Sequence, residues 1–141
     1  AFYALTGSVS LVSFLLSIPI GALSAATLHA NNMRDIEHDR AAGKTTLATL
    51  LGRQRSATEY TFWIVASYLA TLVTVAIEPA YWPVLLVAFS IPTGLGLIEL
   101  ARTGCDTPSL NRLLRKTAGL HLRFGSLLIA GLAIRLALAR F

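Results

Sequence analysis

Two carboxylates stand one helical turn apart in a polar segment that directly follows an apolar run. The segment reads Asn31-Asn-Met-Arg-Asp35-Ile-Glu-His-Asp39-Arg-Ala-Ala-Gly43-Lys44. Residues four apart on a helix share a face, with Cβ atoms about 5–6 Å apart, so Asp35 and Asp39 can bind one divalent cation or two neighbouring ones. Mg²⁺ is the expected ion because it takes oxygen ligands, typically one or two carboxylates together with substrate phosphates. The two carboxylates and the basic side chains beside them therefore predict a site for magnesium and a diphosphate, and the alternative is a solvated run of charges at the membrane interface.

Three side chains around the carboxylates suit the diphosphate itself. A guanidinium such as that of Arg34 binds phosphate oxygens through paired hydrogen bonds, and Lys44 supplies a point charge. Asn31, at the end of the apolar run, can offer its side-chain oxygen to the same site or cap the helix end. We predict that Asn31, Arg34 and Lys44 bind the diphosphate. The alternative for the two cations is that they only set membrane topology.

Other ionisable residues near this segment are less specific. Glu37 and His38 fall off the Asp face by helical spacing, so both are predicted to face solvent. His29 and His121 are candidates for a catalytic base, although a lone histidine is more often structural. The catalytic base therefore stays unassigned.

The residues around Gly43 superficially resemble a nucleotide-binding P-loop. The run Ala-Gly43-Lys44-Thr-Thr has the right ending, but the P-loop pattern needs a glycine five positions before Gly43, where His38 stands. A P-loop also follows a buried strand, and an apolar run of helical length precedes this segment. We therefore exclude nucleotide hydrolysis.

The composition predicts that a bilayer surrounds the chain. Of 141 residues, 55% are hydrophobic and 13% are charged, and the mean hydropathy is +0.64. Four apolar stretches each approach the roughly 20 residues needed to cross the hydrocarbon core. They are 9–30, 60–77, 80–101 and 118–139. Because lipid cannot satisfy the polar groups of an isolated strand, each stretch is predicted to be a helix. The predicted fold is an all-α polytopic transmembrane bundle.

The basic residues cluster in two of the connections between these spans. They are Arg34, Arg40, Lys44, Arg53 and Arg55 after the first span, and Arg102, Arg112, Arg115 and Lys116 after the third. The turn 78–83 has none and carries Tyr81 and Trp82, which suit the opposite membrane interface. The positive-inside rule then places both basic connections in the cytoplasm, where the soluble substrates would arrive. For Arg40 and Arg53, topology explains the charge at least as well as substrate contact.

This asymmetry also explains the net charge of +5 without nucleic acid, which we do not expect as a partner. The single Cys105 lies in the second basic connection and has no metal-ligand spacing around it, so it is predicted to be a free thiol. Two connections thus carry most of the polar chemistry. We expect 31–58 to be a cytoplasmic Asp-rich active-site loop and 102–117 to be a second cytoplasmic loop. Within the first, Leu47–Leu51 is predicted to form a short interfacial helix that stops at Gly52.

The motif resembles that of the UbiA superfamily of intramembrane prenyltransferases. That superfamily shares Asp-x-x-x-Asp-x-x-x-Gly, matched here by Asp35, Asp39 and Gly43. The fuller form, from Asn31 to Ala48, is similar to the branch that prenylates 1,4-dihydroxy-2-naphthoate in menaquinone synthesis. The resemblance implies Mg²⁺ bound by the two aspartates, a polyprenyl diphosphate donor, and release of diphosphate and carbon dioxide to give demethylmenaquinone.

The resemblance also implies an incomplete site. Members of the family have about nine spans and a first Asp-rich motif in their N-terminal half, which residues 1–141 lack. The chain is therefore expected to be the C-terminal part of one UbiA-type domain in the cell membrane, inactive without the missing half. Two alternatives remain: a related enzyme with another aromatic acceptor, and a noncatalytic membrane protein such as a transporter fragment. A transporter would be expected to hold ionisable groups near the bilayer midplane, whereas here they cluster at one interface.

Overall fold

The chain folds as a bundle of long helices, seen in a computed structural model that describes residues 2–139. The elements are α1 (Phe2–Thr6), α2 (Leu11–Arg34), α3 (Ile36–Ala41), α4 (Leu47–Ile77), a 3₁₀ helix (Pro79–Ser90), α5 (Ile91–Thr103) and α6 (Thr107–Leu138). Four segments are long and apolar enough to cross a membrane: α2, α4, the 3₁₀ helix continued by α5, and α6. The described residues contain no strand. The predicted all-α bundle with four spans is confirmed.

Polar side chains fix where the long helices begin. Ser10 and Ser13 form a reciprocal capping box at the start of α2, and Thr46 and Thr49 form another at the start of α4. The carboxylate of Asp106 caps α6 by accepting the backbone N–H three residues on, at 3.2 Å. Hydrogen bonding to this charged carboxylate lowers the pKa of Asp106 from its ordinary value.

The bundle core lies where α2, α4 and α6 meet. Leu23, Ile64, Leu120 and Phe124 are buried there, and the hydroxyl groups of Tyr60 and Thr117 hydrogen bond at 2.7 Å. Large apolar side chains also point outward, which suits a surface that faces lipid. They include Phe14, Leu28, Phe62, Leu69, Phe89, Leu95, Leu122 and Ile129.

The third span begins as a 3₁₀ helix of 12 residues, a long run for a conformation normally used in short pieces. Its buried side chains Val84, Val87 and Ser90 recur every three residues, because residues three apart eclipse in this helix. The 3₁₀ helix packs closely on α6 at Gly131. A Cβ atom there would lie 2.5 Å from the carbonyl oxygen of Pro83, so only glycine permits this approach.

Two predicted loops are mostly helical. The predicted loop 31–58 is wrong in secondary structure, since Asn31 to Arg34 complete α2, α3 follows, and α4 starts at Leu47. Gly52, predicted to stop a short helix, instead kinks α4 with φ +71° and ψ 171°, and the helix continues. In 102–117, residues 104–106 alone separate α5 from α6. Hydropathy marks the part of a helix within lipid, whereas backbone hydrogen bonding continues beyond it.

Candidate active site

Asp35 lies at the break between α2 and α3, where it ends the first helix and precedes the second. Its φ of −97° and ψ of 8° end α2, and its N–H still bonds to the carbonyl oxygen of Asn31 at 3.2 Å. The N–H of Asp39 in turn bonds to the carbonyl oxygen of Asp35 at 2.8 Å. The i to i+4 connection therefore continues across the break, and the two aspartates lie one turn apart as predicted.

Both oxygens of the Asp35 carboxylate accept a hydrogen bond from the neighbouring Arg34. Arg34 donates from Nε to Oδ1 and from Nη2 to Oδ2, both at 2.7 Å. The same Nη2 donates to the side-chain oxygen of Asn31 at 3.0 Å. These hydrogen bonds lower the pKa of Asp35, so the carboxylate is ionised. Three of the five predicted site residues, Asn31, Arg34 and Asp35, thus form one cluster. Within it, Arg34 binds the carboxylate of Asp35 through the paired hydrogen bonds that were predicted for a phosphate.

A glycine turn brings Lys44 back onto Asp39. Gly43 has φ +67°, its N–H bonds to the carbonyl oxygen of Arg40, and the N–H of Lys44 bonds to that of Asp39 at 2.8 Å. This is the Schellman pattern that ends many helices with glycine in the left-handed conformation. The turn also places Nζ of Lys44 3.3 Å from Oδ1 of Asp39. The remaining two predicted site residues are therefore paired as well.

Asp39 has the features of a cation ligand. Its side chain is 5% exposed, while that of Lys44 is 61% exposed. Oδ2 of Asp39 is buried and has no hydrogen-bond partner within residues 2–139. An unpaired buried acceptor costs about 1–3 kcal/mol, and more when charged, so this oxygen is suited to a cation. Asp39, with Asp35 one turn away, therefore fits the oxygen ligands that Mg²⁺ requires.

The structure also shows a buried polar cluster that the sequence did not predict. His29 of α2 is buried, with Nε2 3.1 Å from the carbonyl oxygen of Ser56 and 3.6 Å from Oε2 of Glu59. The other carboxylate oxygen of Glu59, Oε1, accepts a hydrogen bond from Nε1 of Trp63 at 3.2 Å. The cluster joins α2 to α4, which favours the structural interpretation of His29. Its partners lie 27 or more positions away, so only the register between the two helices could have revealed them.

The remaining candidates lie outside these pairs. Glu37 and His38 are exposed, as predicted. Arg40 is also exposed and donates to Glu37 and to the carbonyl oxygen of Thr49, which ties α3 to α4. His121 lies in the wall of a mainly apolar cleft of about 540 Å³ between α2 and α6.

Comparison of the sequence with known proteins identifies one family. The sequence profile of the UbiA prenyltransferase family matches residues 1–111. The 1,4-dihydroxy-2-naphthoate octaprenyltransferase of Bacillus subtilis (strain 168) is 32% identical over 135 residues, covering 95% of this chain and 43% of the relative. The enzyme of the same name from Mycobacterium leprae (strain TN) is 36% identical over 123 residues, covering 87% and 40%.

Animal proteins match to a similar degree. UbiA prenyltransferase domain-containing protein 1 of Homo sapiens is 31% identical over 139 residues, covering 95% of this chain and 38% of the relative. No solved structure matches the chain. The chain spans about two fifths of the length of these curated relatives, 38% to 43%. The family profile extends over both aspartates, the glycine turn and the first three membrane-spanning segments, and the chain therefore belongs to the UbiA prenyltransferase family.

Proposed function

We propose that this chain forms part of an enzyme that transfers a polyprenyl group from an all-trans polyprenyl diphosphate to 1,4-dihydroxy-2-naphthoate. Loss of carbon dioxide and diphosphate would give demethylmenaquinone. The observation that carries the proposal is the buried Asp39 carboxylate, with one oxygen paired to Lys44 and the other without a partner. The names of the bacterial relatives support the acceptor.

The residues of this chain suggest how the donor is held. Asp39 and Asp35 would hold Mg²⁺, which supplies charge neutralisation for the departing diphosphate. Lys44 is more than half exposed, so its ammonium can reach a phosphate while Asp39 orients it. Arg34 has donors beyond those bound to Asp35, and Asn31 holds the guanidinium in place. The apolar cleft between α2 and α6 suits a polyprenyl tail, and its walls would keep water from the reactive allylic carbon.

The membrane orientation is part of this proposal. The chain connects α2 to α4 and α5 to α6 at one end of the bundle, and most of the basic residues lie at that end. By the positive-inside rule we place this end in the cytoplasm of a cell membrane. Tyr81, whose ring lies 4.7 Å beneath the guanidinium of Arg135, and the exposed Trp82 then lie at the outer interface.

The test is prenyl transfer by the full-length gene product in membrane vesicles. Asp39→Asn keeps the shape of the side chain and removes its charge, and we expect kcat/KM to fall on the order of 100-fold or more because metal stabilisation contributes several kcal/mol. Glu37→Gln is the matched control, since Glu37 is an exposed acid on the same helix. Equal activity of Asp39→Asn and wild type, with both proteins inserted, would refute the metal assignment.

The acceptor is tested separately. Activity of the wild type on 1,4-dihydroxy-2-naphthoate supports the proposal, and activity only on another aromatic acid moves the enzyme to another branch of the family. The animal relatives, whose names specify no acceptor, make that second arm necessary. Inactivity with every acceptor would favour a noncatalytic membrane protein.

A further inference from the structure

A cavity of about 620 Å³ opens between α4 and α5, at the same end of the bundle as the aspartates. Its polar lining comprises Arg53, Gln54, Thr58, Arg102 and Cys105. None of the five residues of the candidate active site lines this cavity. The cavity is therefore a second polar environment in the molecule.

The charge of this cavity is uncompensated. Neither Arg53 nor Arg102 forms an ion pair within residues 2–139, and no carboxylate lines the cavity. Nη1 of Arg53 is buried and lacks a hydrogen-bond partner among these residues. The acid nearest to Arg102 along the chain, Glu99, is exposed and forms no ion pair within residues 2–139, and Asp106, four positions after Arg102, caps α6. A buried donor on a cation requires an acceptor, and an anion would satisfy both guanidinium groups.

The surroundings indicate which kind of anion fits. Below Thr58, the exposed side chains Phe62, Val65 and Leu69 follow at helical spacing along α4. Leu95 of α5 is likewise exposed, two turns before Arg102. An apolar track therefore leads from the cavity into the membrane-facing part of the bundle. Basic pockets between membrane helices recognise anionic lipid headgroups in this way.

We propose that the cavity between α4 and α5 binds the phosphate group of an anionic phospholipid, with Arg53 and Arg102 as its ligands and the acyl chains along the apolar track. The site is independent of the prenyl transfer proposed above. Free phosphate shares the same chemistry, but it would gain nothing from the apolar track.

The first test is binding to the full-length protein in nanodiscs of phosphatidylcholine with or without phosphatidylglycerol. We expect phosphatidylglycerol to raise the melting temperature of the wild type and of Arg55→Gln, because Arg55 is exposed and does not line the cavity. Arg53→Gln and Arg102→Gln should each weaken the interaction about tenfold. Equal weakening by Arg55→Gln would show a general charge effect and overturn the proposal. Inorganic phosphate, added to phosphatidylcholine nanodiscs, identifies free phosphate as the ligand if it stabilises the protein with the same arginine dependence.

A second measurement does not depend on the stability of the variants. Cys105 is exposed at the cavity and is the only cysteine in these 141 residues. In the wild type, a bound phosphatidylglycerol should slow maleimide labelling of Cys105 several-fold, as read by peptide mass spectrometry. Conservative Arg53→Lys and Arg102→Lys variants keep the charge and should retain part of this protection. Equal labelling rates in the two lipid compositions would overturn the proposal.

Discussion

Gly43 should control whether Lys44 reaches Asp39. An added Cβ atom would meet nothing within 4 Å, so Gly43→Ala introduces no clash, and its effect comes from the backbone alone. The left-handed conformation at φ +67° costs a residue with a Cβ atom about 1–2 kcal/mol. That free energy corresponds to a roughly 5- to 30-fold shift from the closed turn to open conformations.

Amide hydrogen exchange measures this shift directly. The N–H of Lys44 is bonded to the carbonyl oxygen of Asp39 in the closed turn, so its exchange should accelerate roughly 5- to 30-fold in Gly43→Ala. Gly43→Asn should accelerate it less, because asparagine tolerates the left-handed region better. Catalysis should fall in the same order if Lys44 binds the diphosphate.

Gly52 supplies the matched control. Its φ of +71° is similar and the space around it is also open, but its ψ of 171° lies in a region essentially restricted to glycine, and it lies in the kink of α4. Gly52→Ala should therefore impose at least as much backbone strain and leave the exchange of the Lys44 amide unchanged. Unaltered exchange in Gly43→Ala, or equal acceleration in Gly52→Ala, would refute the reasoning.

Three further predictions concern stability, each measured by unfolding of the full-length protein in detergent. Gly131→Ala should lower the free energy of unfolding by about 1–3 kcal/mol, because the added Cβ atom would overlap the backbone of the 3₁₀ helix. Gly119→Ala, also in α6 but with open space around it, should raise the free energy of unfolding by up to about 1 kcal/mol. Equal effects of the two substitutions would contradict the close packing at Gly131. His29→Leu should cost about 1–3 kcal/mol by removing a buried partner, and the cost should shrink when Glu59→Gln is already present; strict additivity would argue against the contact. Because the pKa of Asp35 is lowered in the folded state, its stabilisation is present above the unfolded value near 3.8 and is lost as pH falls below it. Asp35→Asn should remove that part of the pH dependence of stability. An unchanged dependence of stability on pH would show that another group is responsible for it.

The sequence alone predicts the membrane-spanning segments because the hydrocarbon core of the bilayer requires long runs of apolar side chains, which hydropathy detects. It misplaced their ends because α2 continues through Arg34 and α4 begins at Leu47, where polar residues extend the helices beyond the apolar runs. The spacing of Asp35 and Asp39 also predicted their one-turn separation correctly. A backbone hydrogen bond preserves that separation across the break between α2 and α3.

The interactions of the site were less predictable. The sequence predicts that Arg34 and Lys44 bind a diphosphate, and the structure adds that each is paired with an aspartate, which the pattern did not indicate. The sequence pattern does not show which neighbouring acid a basic side chain will pair with. The contact of His29 with Ser56 depends on the axial register between α2 and α4, which periodicity within either helix does not contain. The periodicity of a sequence predicts which face of a helix is buried, whereas tertiary packing decides which residues of another helix contact that face.

The 3₁₀ helix limits how the third span can change in length. Its buried ridge of Val84, Val87 and Ser90 runs straight along the axis because each turn contains three residues. Inserting or deleting one residue would rotate everything beyond it by roughly 120° and turn the ridge away from the bundle. A change of three residues would keep the ridge in place and alter the span by about 6 Å. Adaptation of this span to a thicker or thinner bilayer is therefore quantised in whole turns.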